Sequence, residues 1–84
     1  MALVLTVATG DVVDIADKWI ALLAIESRGS ATLIIDNGDK VSVSSKFETE
    51  VLPAVWVQLG LRAGPRQLKL LIEAPKDLLI ARRQ

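Results

Sequence analysis

The chain has no cysteine, histidine or tyrosine, and its only aromatic side chains are two tryptophans and one phenylalanine. The lack of cysteine excludes disulfides and thiolate metal sites. Without histidine or cysteine, the common nucleophile–base pairs of hydrolases cannot be built either. We therefore expect no enzyme activity, no cofactor and no metal site.

The sequence also has no apolar run near the roughly 20 residues that a membrane span needs. Its first residues lack the basic flank of a signal peptide. We therefore expect a soluble, cytoplasmic protein that does not bind membranes. Apolar residues nevertheless make up 51% of the 84 residues, and the mean hydropathy is +0.42. A chain this short has little interior, so we expect some apolar surface to lie in a homodimer or other homo-oligomeric contact.

Charge is balanced in total but unevenly placed along the chain. The ten cations and ten carboxylates cancel, yet residues 1–45 carry a net charge of −3 and residues 46–84 carry +3. Ordinary solvated surface explains such an imbalance. A basic face for a polyanion, or association between unlike halves of two copies, explains it as well.

An internal repeat organises the sequence. Trp19 and Trp56 are 37 residues apart, and a shift of 37 residues places apolar residues on apolar residues at alternate positions. The matched pairs include Ile20 with Val57, Leu22 with Leu59, Leu33 with Leu70, Ile35 with Ile72 and Val43 with Ile80. We predict one domain over residues 1–84, with repeat one at about residues 9–45 and repeat two at about residues 46–82.

The spacing of apolar residues predicts strands. In residues 55–62 and 67–73 every second residue is aliphatic and most of the residues between them are polar or glycine, which is typical of a strand with one buried face. Residues 18–26 also fit a helix, and so does the tail after Pro75, but the repeat favours strands in both places. The predicted fold class is all-β: a small barrel or sandwich of about eight or nine short strands. Phe47 is assigned to its core.

Two turns differ between the repeats. Asn37-Gly38 predicts a two-residue type I′ hairpin, whose two central residues both need positive φ. Ala74-Pro75 takes this place in repeat two, and Pro75 has no N–H to donate. Strand pairing should therefore pause at Pro75.

Residues 70–82, LLIEAPKDLLIAR, carry a family resemblance. They resemble the signature of the carbon storage regulator family (CsrA/RsmA), in which an Ala-Pro turn joins two strands and the second strand ends at an arginine. Residues 3–6, followed by Gly10-Asp11, are similar to the first strand and turn of that family. The resemblance implies a single chain that imitates the family's dimer through its two repeats. It also implies an RNA-binding regulator of translation that recognises GGA-bearing hairpins.

The resemblance also implies a site. The candidate RNA-binding residues lie at the ends of the first and last strands and around the second turn: Leu5, Thr6, Leu79, Ala81, Arg82, Arg83, Arg66 and Lys69. Trp19 and Trp56, on the face opposite the main core, are candidates for an interface or for stacking on a base, and each also fits a smaller second core.

Two alternatives to RNA binding remain open. Val7 and Ala8 stand where the family carries basic residues, which favours a relative that lost RNA binding and acts in protein–protein interaction or assembly. A structural β-module of a larger particle is the other alternative, and it is supported by composition alone.

Overall fold

The structure is a computed structural model that describes residues 2–27 and 29–83, except for the side chains of residues 27 and 61–63. The described residues form nine β-strands, which confirms the predicted all-β class. The strands are β1 (Ala2–Ala8), β2 (Val12–Ile15), β3 (Lys18–Ser27), β4 (Ser30–Ile35), β5 (Lys40–Ser44), β6 (Thr49–Leu52), β7 (Val55–Gly64), β8 (Gln67–Glu73) and β9 (Ile80–Arg82). No helix with the length and apolarity of a membrane span occurs among these residues.

The strands form two antiparallel sheets. A four-stranded sheet has the order β1-β8-β7-β6, and a five-stranded sheet has the order β5-β4-β3-β2-β9. Alternate residues of β8 are buried and exposed, as the sequence pattern predicts for a strand with one face on a core. The inner faces of the two sheets share one cluster of buried apolar side chains.

The offset of 37 residues recurs in the strand bounds. Residues 12–15 of β2 correspond to residues 49–52 of β6, and residues 18–27 of β3 correspond to residues 55–64 of β7. The buried positions follow the same offset. Six matched pairs are buried: Ile15 with Leu52, Ile20 with Val57, Leu22 with Leu59, Ala31 with Leu68, Leu33 with Leu70 and Ile35 with Ile72. Each repeat therefore supplies one sheet with the same inward positions.

The last strand of each repeat behaves differently. In repeat one, a tight turn folds β5 back onto β4 of its own sheet. In repeat two, Ala74-Pro75 replaces that turn, and β9 pairs with β2 of the opposite sheet. The edge of β8 that this leaves open is covered by β1. The first strand, β1, thus pairs with the sheet of repeat two, and the last strand, β9, pairs with the sheet of repeat one.

The turn at residues 36–38 corrects the prediction of a type I′ hairpin. Gly38 has φ of +94°, but among the described non-glycine residues only Ala16 and Ala54 have positive φ. The Gly38 N–H donates to the carbonyl oxygen of Ile35, and the Ile35 N–H donates to that of Asp39. This is a three-residue loop, a type I turn closed by a left-handed glycine.

The prediction for Phe47 is also wrong. Its side chain is exposed on the link between β5 and β6. The core cluster consists of aliphatic side chains, nearly all from the strands, and does not include Phe47. Trp19 and Trp56 do lie on the outer faces, as the alternation with buried Ile20 and Val57 requires.

Candidate nucleic-acid interface

The first and last strands meet at one edge of the sandwich, the β1–β9 edge. Arg82 pairs with Val13 in the register of β9 and β2, and both residues therefore point to the inner side of that sheet. The guanidinium Nη1 of Arg82 donates to the carbonyl oxygen of Thr6 in β1 at 2.6 Å. One arginine thus bridges the two sheets at the strand ends that the sequence analysis selected.

Two further cations lie next to this contact. Lys69 of β8 is directly opposite Thr6 in the β1–β8 register, and its side chain is exposed. The backbone of Arg66, in the turn before β8, accepts a hydrogen bond from the N–H of Thr9 at 3.1 Å. Arg66 and Lys69 therefore lie next to β1 through their backbones and Arg82 through its side chain, although the three come from separate parts of the sequence.

Arg83 does not join this group. Its side chain forms a bidentate ion pair with Asp14 of β2, with Nη2 2.5 Å from Oδ1 and Nε 3.2 Å from Oδ2. The hydrogen bond from Arg83 holds the pKa of the Asp14 carboxyl below its usual value, and the same bond raises the pKa of Arg83. Arg83 is thus committed to Asp14, a carboxylate for which the sequence gives no functional signal.

The remaining candidates contribute in different ways. Leu5 is half-buried and packs against the core, so its side chain supports the edge rather than facing a ligand. Leu79 is exposed, and its carbonyl oxygen accepts a hydrogen bond from the N–H of Ala16. Ala81 is exposed on β9 opposite Asp14.

A shallow hollow of about 360 Å³ lies beside Arg66. Thr9, residues 23–25 and Pro65-Arg66 line it. The sequence gives no signal for this hollow, because it depends on two turns meeting the irregular part of β3, where the β3–β4 register shifts. Its position next to Arg66 extends the basic surface with partly apolar walls.

Trp56 lies away from the β1–β9 edge, whereas Trp19 lies two strands from β9, in the same row as Asp14 and Ala81. Trp19 is half-buried next to Asp14 in the β2–β3 register, and Trp56 is exposed on the four-stranded sheet between Glu50 and Glu73. Trp56 is therefore flanked by two carboxylates, which disfavour an RNA backbone, whereas the carboxylate next to Trp19 is paired with Arg83. An interface role suits Trp56 better than stacking on a base.

The described residues contain no cluster of three or more side chains able to hold a metal ion. Comparisons with protein-family models, with curated proteins and with solved structures found no match for this chain. The fold and the geometry of the β1–β9 edge are therefore the basis for any functional statement.

Proposed function

We propose that this protein is an RNA-binding post-transcriptional regulator of the carbon storage regulator type, and that its RNA surface is the β1–β9 edge. The observation that carries the proposal is the contact between Arg82 and Thr6. It joins the last strand to the first, which are the two strands that the resemblance implies for the RNA site.

The chemistry of Arg82 suits this role. The bond to Thr6 uses one N–H of a guanidinium that carries five donors in a planar fork. The side chain is exposed at the rim of the sandwich, and the contact with Thr6 fixes its direction. A fork held in this way favours bidentate contact with a phosphate or with the O6 and N7 acceptors of guanine.

Arg66 and Lys69, whose backbones lie next to β1, would supply phosphate contacts. Three cations on single-stranded RNA predict a slope of about −2 when the logarithm of affinity is plotted against that of salt concentration. Two carboxylates near this surface already have partners within the chain. Asp11 accepts a hydrogen bond from the N–H of Ala8 within the β1–β2 turn, and Asp14 is neutralised by Arg83.

The test is binding of a GGA-bearing RNA hairpin, measured beside the same hairpin with a scrambled loop. We expect preference for the GGA loop, the salt slope given above, and a loss of about 1–3 kcal/mol in Arg82→Ala if the contact is bidentate. Arg82→Lys keeps the charge and loses the fork, so it should recover only part of the affinity.

Lys40→Ala is the matched control, because Lys40 is an exposed cation on β5, at the opposite edge of the five-stranded sheet. Thermal unfolding of each variant separates lost binding from lost folding. Equal, negligible retention of the hairpin by the wild type and Arg82→Ala at low salt would remove the proposal.

A second candidate function is protein–protein interaction, and it has its own observation. The outer face of the four-stranded sheet exposes three apolar side chains that the proposed RNA site does not use: Val4, Trp56 and Leu71. A chain that binds protein through this face should keep its partner when Arg82 is replaced, so the same variant distinguishes the two functions.

A further inference from the structure

The edge strands of the two sheets differ in how well they are protected against pairing with another chain. β6 has four residues, includes Glu50 and is interrupted by a register shift. β9 has three residues, ends at Arg82 and is followed by Arg83. β5 begins at Lys40. Short length, charged side chains and irregular pairing are the features by which edge strands avoid further pairing.

β1 lacks all of these features. Its seven residues, ALVLTVA, include no charged residue and no proline, and they pair with β8 in an unbroken register. Among the described strands, β8 is the one that pairs with β1, so the other side of β1 is an open edge. A long, regular and apolar edge strand is a template for one more strand.

The hydrogen bonds of β1 indicate which backbone groups face this open side. The N–H of Ala8 donates to Oδ2 of Asp11, and the carbonyl oxygen of Thr6 accepts from Arg82, so both groups point away from β8. Successive residues of an antiparallel strand alternate in the side to which their N–H and C=O point. The N–H and C=O of Val4 and the N–H of Thr6 therefore also face the open side, where the described residues offer them no strand.

We propose that β1 pairs antiparallel with β1 of a second copy of the chain, about a two-fold axis perpendicular to the sheet at Val4. Val4 then lies opposite Val4 of the second copy, Leu3 opposite Leu5, and Ala2 opposite Thr6. The N–H and C=O of Val4 bond the same groups of the second copy, and the N–H of Thr6 bonds the carbonyl oxygen of Ala2. The two four-stranded sheets become one continuous sheet.

β1 itself has the properties that the strand in this place needs. An antiparallel pair of identical strands requires a residue on its axis whose N–H and C=O face outward, and Val4 is such a residue. Leu3 and Leu5 are half-buried on the inner side of the sheet, and they would contact each other across the new pair. Neither strand brings a charge. The contact uses the unprotected edge of both chains, so the assembly closes at two copies.

The contact between Arg82 and Thr6 lies within this pair. A carbonyl oxygen has two lone pairs, so that of Thr6 can accept the N–H of Ala2 from the second copy together with Arg82. The second copy would then lie beside the guanidinium, where the proposed RNA would bind. Competition between pairing and RNA rests on the proposed function, but pairing itself does not, and its test needs no RNA.

The test is sedimentation velocity of the full chain from micromolar to millimolar concentrations, with Val4→Lys compared against Leu71→Lys. Val4 and Leu71 are neighbours in the β1–β8 register, and both are exposed on the outer face. We expect the wild type to dimerise and Val4→Lys to dimerise at least about tenfold more weakly, because two lysines would lie opposite each other at the edge. Leu71→Lys, one strand further in, should stay within about threefold of the wild type.

A proline variant tests the backbone hydrogen bonds directly. Val4→Pro removes an N–H that the pair needs and that the single chain does not use, since proline is tolerated on an edge strand where the N–H faces away from the sheet. Val4→Ala is the control, because it shortens the side chain and keeps the N–H. We expect Val4→Pro to be monomeric and Val4→Ala to dimerise. Far-UV circular dichroism checks that each variant is folded.

Amide hydrogen exchange of the wild type keeps the test decisive even if a variant fails to fold. The amides of Val4 and Thr6 should exchange more slowly as the concentration rises, while that of Ser42, on the open edge strand β5, should not change. A wild type that stays monomeric to millimolar concentration, a Leu71→Lys variant as weak as Val4→Lys, or exchange at Val4 and Thr6 that is independent of concentration would overturn the proposal.

Discussion

Leu33 and Leu70 occupy matched positions in the two repeats, and truncating each one measures how the repeats share a core. Leu33 of β4 is 0% exposed and Leu70 of β8 is 1% exposed. Replacing a buried leucine by alanine costs about 2–5 kcal/mol, because the transfer free energy is lost and a cavity remains. A chain of this length is expected to have a free energy of unfolding of about 4–13 kcal/mol, so either change removes a large part of the stability.

Urea unfolding followed by tryptophan fluorescence and circular dichroism gives both losses. We expect Leu33→Ala and Leu70→Ala to lower the free energy of unfolding by amounts equal to within about 1 kcal/mol, in one cooperative transition. Leu71→Ala, one residue from Leu70 but on the outer face, should lose less than about 1 kcal/mol when measured on the monomer. Two separate transitions, or a large loss at only one of the matched leucines, would refute a core shared by two equivalent repeats.

Two further predictions concern the turns and the ion pair. Ala16 and Ala54 have φ of 56° and 63°, a conformation that costs an L-residue about 1–2 kcal/mol. Ala54→Gly should therefore raise the free energy of unfolding, by up to about 1 kcal/mol after the added freedom of the unfolded chain is subtracted; an unchanged or lower midpoint in urea would contradict this. The pKa of Asp14 is lowered in the folded chain by Arg83, so this pair stabilises the fold above the unfolded pKa of about 3.9 and stops doing so as the pH falls through the folded pKa. In Arg83→Ala the pKa of Asp14, followed by carboxyl NMR, should rise toward its ordinary value, and an unchanged titration would show that Arg83 is not the cause.

Much of the fold is predictable from sequence because a period of two residues along a strand fixes which side is buried. Apart from Leu71, residues 67–73 alternate between polar and apolar side chains, and β8 has the matching pattern of burial. The repeat decided between helix and strand where local propensity could not. Residues 18–26 also fit a helix, and only the match with residues 55–62 indicated the strand that β3 turned out to be.

Turn geometry and edge placement were less predictable, because they depend on contacts far apart in sequence. Asn37-Gly38 signals a hairpin but does not distinguish a two-residue loop from the three-residue loop that forms. The pairing of β9 with β2 rather than with its own repeat follows from Pro75 interrupting the chain and from β1 already covering β8. Residue type alone shows neither which loop follows β4 nor which strand β9 pairs with.

The candidate site was predicted in part. The ends of β1 and β9 were chosen from the resemblance, and Arg82 does contact Thr6. The sequence did not separate Arg82 from Arg83, because adjacent arginines look equivalent until β9 is paired with β2. That pairing brings Asp14 within reach of Arg83, and Arg83 forms the ion pair.

The most direct test of the β1–β9 edge as an RNA surface is a ¹H–¹⁵N NMR titration of the chain with a GGA-bearing hairpin. The account predicts that the backbone amides of Thr6, Lys69, Ala81 and Arg82 shift together and saturate, while those of Lys40 and Ser42 on β5 stay in place. Shifts confined to the face around Trp56, or no shifts at low salt, would contradict it.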